Sequence, residues 1–121
     1  MRQKSERIAY PLTFLLHPEG DQWAALACEV DVASCGDSLD EARGMLKEAV
    51  ELYVSYLLEH GRRDDIARPV PAEALQEFVE DGDLPPTVES HTLLVTLTPK
   101  VRMEFVPTGL APSCRPIVAA R

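Results

Sequence analysis

Cysteine is scarce: Cys28, Cys35 and Cys114 are the only three in 121 residues, and no CxxC pair occurs. An odd count without paired spacing excludes a disulfide framework and fits a reduced, cytosolic compartment. Histidine is equally sparse. His17, His60 and His91 stand far apart and in no metal-ligand spacing, so no metal centre is expected. Long hydrophobic runs are missing. No apolar segment approaches the roughly 18 residues of a membrane span. The charged N-terminus (Arg2, Lys4, Glu6, Arg7) is not followed by an apolar region with a cleavage site, so no signal peptide is expected. There is no Gly-rich phosphate loop, GxSxG elbow or HExxH helix, and the residues make no positive case for an enzyme or a cofactor.

Positive charge is also in short supply: 12 Lys and Arg face 20 Asp and Glu, a formal net charge of −8. That balance opposes a general phosphate-backbone binder. The acidity belongs to the middle of the chain. Residues 1–10 sum to +2, 11–63 to −6, 64–89 to −7 and 90–121 to +3. Such a middle serves as a solvated surface or as a patch that attracts a basic protein.

What is present reads as one α+β domain, large enough for a core of its own. Tyr10–Leu16 alternates as a strand, His17–Asp21 carries turn chemistry, and Gln22–Cys28 returns as a strand apolar on both faces. Val30–Cys35 is a third strand, on which Glu29 and Asp31 would share a face as a candidate carboxylate pair. Cys28 and Cys35 would lie on adjacent strands, by default as small core residues. Ser38-Leu39-Asp40-Glu41 is a capping box opening a helix from about Leu39 to His60, closed by Gly61. Its apolar stripe is Ala42, Leu46, Ala49, Tyr53 and Leu57, widened by Met45, Val50, Leu52 and Tyr56. A loop over 64–71, a short helix over Ala72–Glu80 with Leu75, Phe78 and Val79 inward, and strands over Thr92–Thr98 and Val101–Phe105 follow. Pro99 between those strands marks an edge, bulge or turn. From Pro107 onward an irregular proline-rich tail is expected, with Gly109, Pro112 and Pro116.

Tyr10-Pro11-Leu12-Thr13-Phe14, the Trp23-Ala24-Ala25 return strand, Gly36-Asp37-Ser38-Leu39-Asp40-Glu41-Ala42 and Glu48-Ala49-Val50-Glu51-Leu52-Tyr53 together resemble the HicB family of antitoxins. The resemblance covers about residues 8–62. It implies a β-β-β-α-β partial ribonuclease H-like core without nuclease activity, here with a short extra helix and C-terminal strands. The organisation then reads as a HicB-like domain over 8–98, with a C-terminal strand and proline-rich tail over 99–121. The resemblance also implies a cytoplasmic antitoxin that masks a small basic HicA-like mRNA-cleaving toxin and assembles as a dimer or tetramer. The chain departs from the family pattern by lacking proline before the third strand. Its C-terminal region is too short and proline-rich for a helix-turn-helix, which speaks against operator DNA binding by such a segment. Partner contacts are expected at Asp37, Asp40 and Glu41 on the helix start and at Asp64, Asp65, Glu73, Glu77, Glu80 and Asp81. The rival readings are an orphan HicB-like domain, acting as a homo-oligomeric scaffold or ligand-binding regulator, and a hydrolase with a vestigial acid site around Glu29 and Asp31.

Overall fold

The computed structural model describes residues 6–82, 84–98 and 100–107. Pro99, Asp83 and the tail from residue 108, including Cys114, lie outside the described residues. The elements are β1 (Arg7–Glu19), β2 (Gln22–Ala27), β3 (Val32–Gly36), α1 (Leu39–Glu59), a 3-10 turn (Arg63–Asp65), α2 (Ala72–Asp81), β4 (Thr87–Thr96) and β5 (Arg102–Pro107). They build a mixed α+β structure with a five-stranded antiparallel sheet in the order β3-β2-β1-β4-β5. The described residues fall into two compact units, Thr13–Glu89 and a second that joins residues up to Leu12 with those from Ser90 onward.

Thr13–Glu89 contains the hairpin, both helices and most of the core. The β1–β2 register pairs Glu19 with Gln22 and Phe14 with Ala27, so Gly20-Asp21 alone forms the loop. The turn expected over His17–Asp21 is therefore shorter, because His17 and Pro18 stay paired in the ladder opposite Ala24 and Trp23. β2 pairs with β3 from Trp23↔Gly36 to Ala27↔Val32. Ala25, Leu26 and Ala27 are all buried, as an inner strand covered on both faces requires.

α1 starts where the capping box places it. The Glu41 backbone N–H donates to Ser38 Oγ at 3.0 Å, and the Glu41 carboxylate accepts from the Asp37 N–H at 2.5 Å. The reciprocal bond thus goes to the residue before the cap. The helix ends in a Schellman motif: Arg62 N–H donates to Leu57 O at 2.8 Å and Gly61 N–H to Leu58 O at 3.2 Å. Gly61 takes φ +67° there, a left-handed conformation that a Cβ disfavours. Gly36 lets α1 come close to β3. A Cβ on it would lie 2.6 Å from the Ala42 backbone nitrogen.

α1 buries Ala42, Leu46, Val50, Val54 and Leu57 against β3 and β2. Each of the larger side chains contributes about 1.5–3 kcal/mol by leaving water. The segment after α1 is also anchored. Ile66 is buried, Arg68 N–H donates to Glu29 O at 3.0 Å and Val70 N–H to Cys28 O at 2.9 Å. α2 has no buried residue; Leu75 and Phe78 are half-buried, but Val79 is exposed rather than inward.

In the second unit β4 pairs with β5 from His91↔Pro107 to Thr96↔Arg102. Leu12, Leu93 and Val95 are buried, and Leu97 N–H donates to Glu6 O at 2.7 Å. The alternation expected for β5 places Met103 and Phe105 half-buried, while Val101 precedes the strand and is exposed.

Candidate functional site

The acids expected to meet a partner occupy three places. At the start of α1, Asp37, Asp40 and Glu41 are exposed but engaged locally. Glu41 caps the helix, Asp40 accepts from Arg43 Nη1 at 2.7 Å, and Asp37 accepts from Gln22 Nε2 at 3.4 Å. In the 3-10 turn, Asp65 pairs with Arg62 at 2.9 Å, both about half exposed, and Asp64 is exposed beside it. On α2, Glu73, Glu77, Glu80 and Asp81 fall at helical spacing on the side opposite Leu75 and Phe78. All four are exposed, and Glu80 accepts from Gln76 Nε2 at 3.1 Å.

The outer surface of α1 carries a feature that the expected stripe concealed. Apolar spacing alone sets Met45, Leu52 and Tyr56 among the inward residues, yet they are 44%, 69% and 53% exposed. Val54, absent from that stripe, is buried instead. The reason is width. Nine apolar positions wrap too far around a helix for one sheet face to cover, and the sheet takes the row centred on Leu46 and Val50. The uncovered row runs Met45, Ala49, Leu52, Tyr56, flanked on its solvent side by exposed Glu48 and Glu59. Arg43 and Lys47 lie off this ridge by helical spacing. The signal that could have separated the two rows was the three-four-seven spacing of Met45, Leu52 and Tyr56 as a second stripe. Tyr56 also stacks on His60 with ring centroids 4.1 Å apart, and the His60 ring nitrogen Nδ1 lies 2.8 Å from Tyr56 O.

The Glu29–Asp31 carboxylate pair does not form on a strand. β3 begins at Val32, and Cys28–Asp31 make a turn in which Asp31 takes φ +54°, so the shared-face argument fails. Glu29 is committed to β1. Its two carboxylate oxygens accept from Thr13 N–H at 2.6 Å and Thr13 Oγ1 at 2.8 Å. Among the described residues no group of three His, Cys, Asp or Glu is gathered to hold a metal ion. Cys28 leaves the strand for the same turn, and Cys35 is exposed on β3 opposite Ala24 rather than packed. Burial first, and the neighbouring Glu29 second, push the Cys28 thiol up to about 11, which makes it a poor nucleophile.

His17, expected in a turn, is 1% exposed within β1. Its ring packs on Phe78 of α2 with centroids 4.4 Å apart, and a Cβ on Gly82 would sit 2.7 Å from its Cγ. Nδ1 lies 3.2 Å from Pro18 O, whereas Nε2 is buried without a hydrogen-bond partner. A half-buried clamp ties α1 to β4. Arg43 donates through Nε and Nη2 to the two oxygens of Glu89 at 2.8 and 2.6 Å, and these bonds, with Asp40, raise its pKa. Tyr53 reaches outward from α1 and donates its hydroxyl to Asp65 O at 3.0 Å and Ile66 O at 3.2 Å. Desolvation raises its pKa.

Among the described residues these geometries give a surface with exposed acids and an apolar ridge on α1. No helix among the described residues is long and apolar enough to cross a membrane. No family model, curated protein or solved structure matches the chain.

Proposed function

We propose that this chain is a HicB-like, non-enzymatic binding protein: an antitoxin that neutralises a small basic HicA-type toxin by covering it. The observation that carries the reading is the outer face of α1. An apolar ridge of Met45, Leu52 and Tyr56 beside Glu48 and Glu59 offers burial and negative charge together. A contiguous apolar strip rimmed by charge marks an interaction surface, and carboxylates speed the approach of a cationic partner. The acids of α2 and Asp64 are exposed as well. The residue pattern over 8–62, the sheet order and the helix laid on β2 and β3 support the finer reading of a partial ribonuclease H-like core. Among the described strands β5 stands at the edge of the sheet, a position at which a second copy can add a strand, the expected route to a dimer or tetramer. Cytoplasmic residence follows from that reading.

Co-expression with the product of the adjacent small open reading frame tests the proposal. The neighbour alone should arrest growth, and this chain should restore it and co-purify with it. Leu52→Asp and Glu48→Lys/Glu59→Lys should weaken the complex by at least about tenfold while leaving the circular dichroism spectrum unchanged. A neighbour that is harmless, or that does not bind, refutes the antitoxin reading.

A further inference from the structure

We propose that the groove lined by Arg7, Leu94, Thr96, Arg102, Met103 and Glu104 binds a small phosphate monoester that also carries hydroxyl groups. This site shares no residue with the α1 ridge and does not depend on the antitoxin reading. The groove has a volume of about 260 Å³, below the roughly 300–1,000 Å³ of drug-sized pockets, which restricts the ligand to a small one.

Charge decides the ligand class. Among the described residues, the guanidinium groups of Arg7 and Arg102 have no carboxylate partner. In a chain with 20 acids against 12 bases, Glu104 at one end of the groove brings its lining to +1, and the two unpaired arginines put +2 at the other end. A phosphate monoester carries about −1.5 to −2 at pH 7 and matches it, whereas a carboxylate or a phosphodiester supplies one charge. The guanidinium fork also fits phosphate oxygens in pairs.

The register orders the groove. Thr96 stands opposite Arg102 and Leu94 opposite Glu104. Arg7 follows Glu6, whose carbonyl accepts from Leu97 N–H at 2.7 Å, so Arg7 belongs to the Thr96 end. That end gathers two guanidinium groups and a hydroxyl donor for the phosphate. Glu104 is two residues further along β5, about 7 Å from Arg102 on the same side. A carboxylate there repels a second anionic group but accepts hydrogen bonds from hydroxyls. Leu94, opposite Glu104, adds apolar wall for a carbon skeleton.

The test is an amide-shift NMR titration of the full chain at low salt with ribose 5-phosphate, inorganic phosphate, ribose and a short single-stranded oligonucleotide. Ribose 5-phosphate should saturate, shifting the amides of Arg7, Thr96, Arg102 and Glu104, and should bind more tightly than inorganic phosphate. Ribose alone should shift nothing. Arg7→Gln/Arg102→Gln should weaken ribose 5-phosphate at least about tenfold, with an unchanged circular dichroism spectrum because both side chains are exposed. Glu104→Ala should bring ribose 5-phosphate and inorganic phosphate to equal affinity. Absence of saturation by either phosphate, equal binding by the double variant, or shifts confined to other residues overturns the proposal. Binding of the oligonucleotide without ribose 5-phosphate also overturns it, in favour of a nucleic-acid surface.

Discussion

His17 shows how a single buried polar atom can set a site's energetics. Its Nε2 is enclosed without a partner, a condition that costs about 1–3 kcal/mol in desolvation. An apolar residue of similar volume removes that cost. His17→Leu should therefore unfold in urea within about 1 kcal/mol of the wild type or above it, whereas His17→Ala should lose about 2–4 kcal/mol through the cavity under Phe78. A loss beyond about 2 kcal/mol for the leucine variant would mean that Nε2 is bonded in solution. Cys28 offers a second measurement at this scale. With its thiol pushed from 9.0 up to about 11, the thiolate fraction at pH 8 is about 100-fold below that of the unfolded chain. Iodoacetamide should label Cys28 correspondingly slowly under native conditions and rapidly in urea, followed by mass spectrometry. The folded state holds this proton more tightly than the unfolded state. Its contribution to stability is thus complete below about pH 9 and is lost as pH rises toward about 11.

At the scale of elements, α1 was the most legible part of the chain. Ser38 and Glu41 announce its start and Gly61 its end, and all three act locally, through bonds to groups within four residues. Ser38→Ala should accordingly cost about 1 kcal/mol in thermal or urea unfolding. The strands were less legible at their ends. β1 runs past both expected limits and β4 starts earlier than expected, because ladder pairing with a neighbour, not local alternation, extends them, while β4 stops at Thr96, short of the expected Thr98. Ile66 reads as loop from its polar neighbours, yet it is buried under the Tyr53 hydroxyl bonds. Helical periodicity marked which α1 residues are apolar without marking which row the sheet would take. That is why the ridge of Met45, Leu52 and Tyr56 emerged only from packing.

For the whole molecule, the Arg43–Glu89 ion pair joins the first turns of α1 to the start of β4 across 46 residues. Both side chains are largely covered, 25% and 19% exposed, so removing one leaves a partly buried charge unpaired. Glu89→Ala should lower stability by about 1–3 kcal/mol, and Arg43→Met/Glu89→Leu should recover much of the loss. A double-mutant cycle on urea midpoints measures the coupling. A single variant with no effect would show that the clamp is solvated.

The sequence by itself determined the α+β class, the long capped helix, the hairpin and the concentration of acid in the middle of the chain. Each follows from periodicity, capping or a sum of charges, which are local or additive properties. Tertiary structure decided the rest. It turned Glu29 from a candidate metal ligand into the acceptor for Thr13, enclosed His17, and exposed one apolar row of α1 while burying the other. It also set Arg7 beside Arg102 from opposite ends of the chain. Those outcomes depend on which residues distant in sequence become neighbours, which strand pairing and the packing of helices on the sheet settle together.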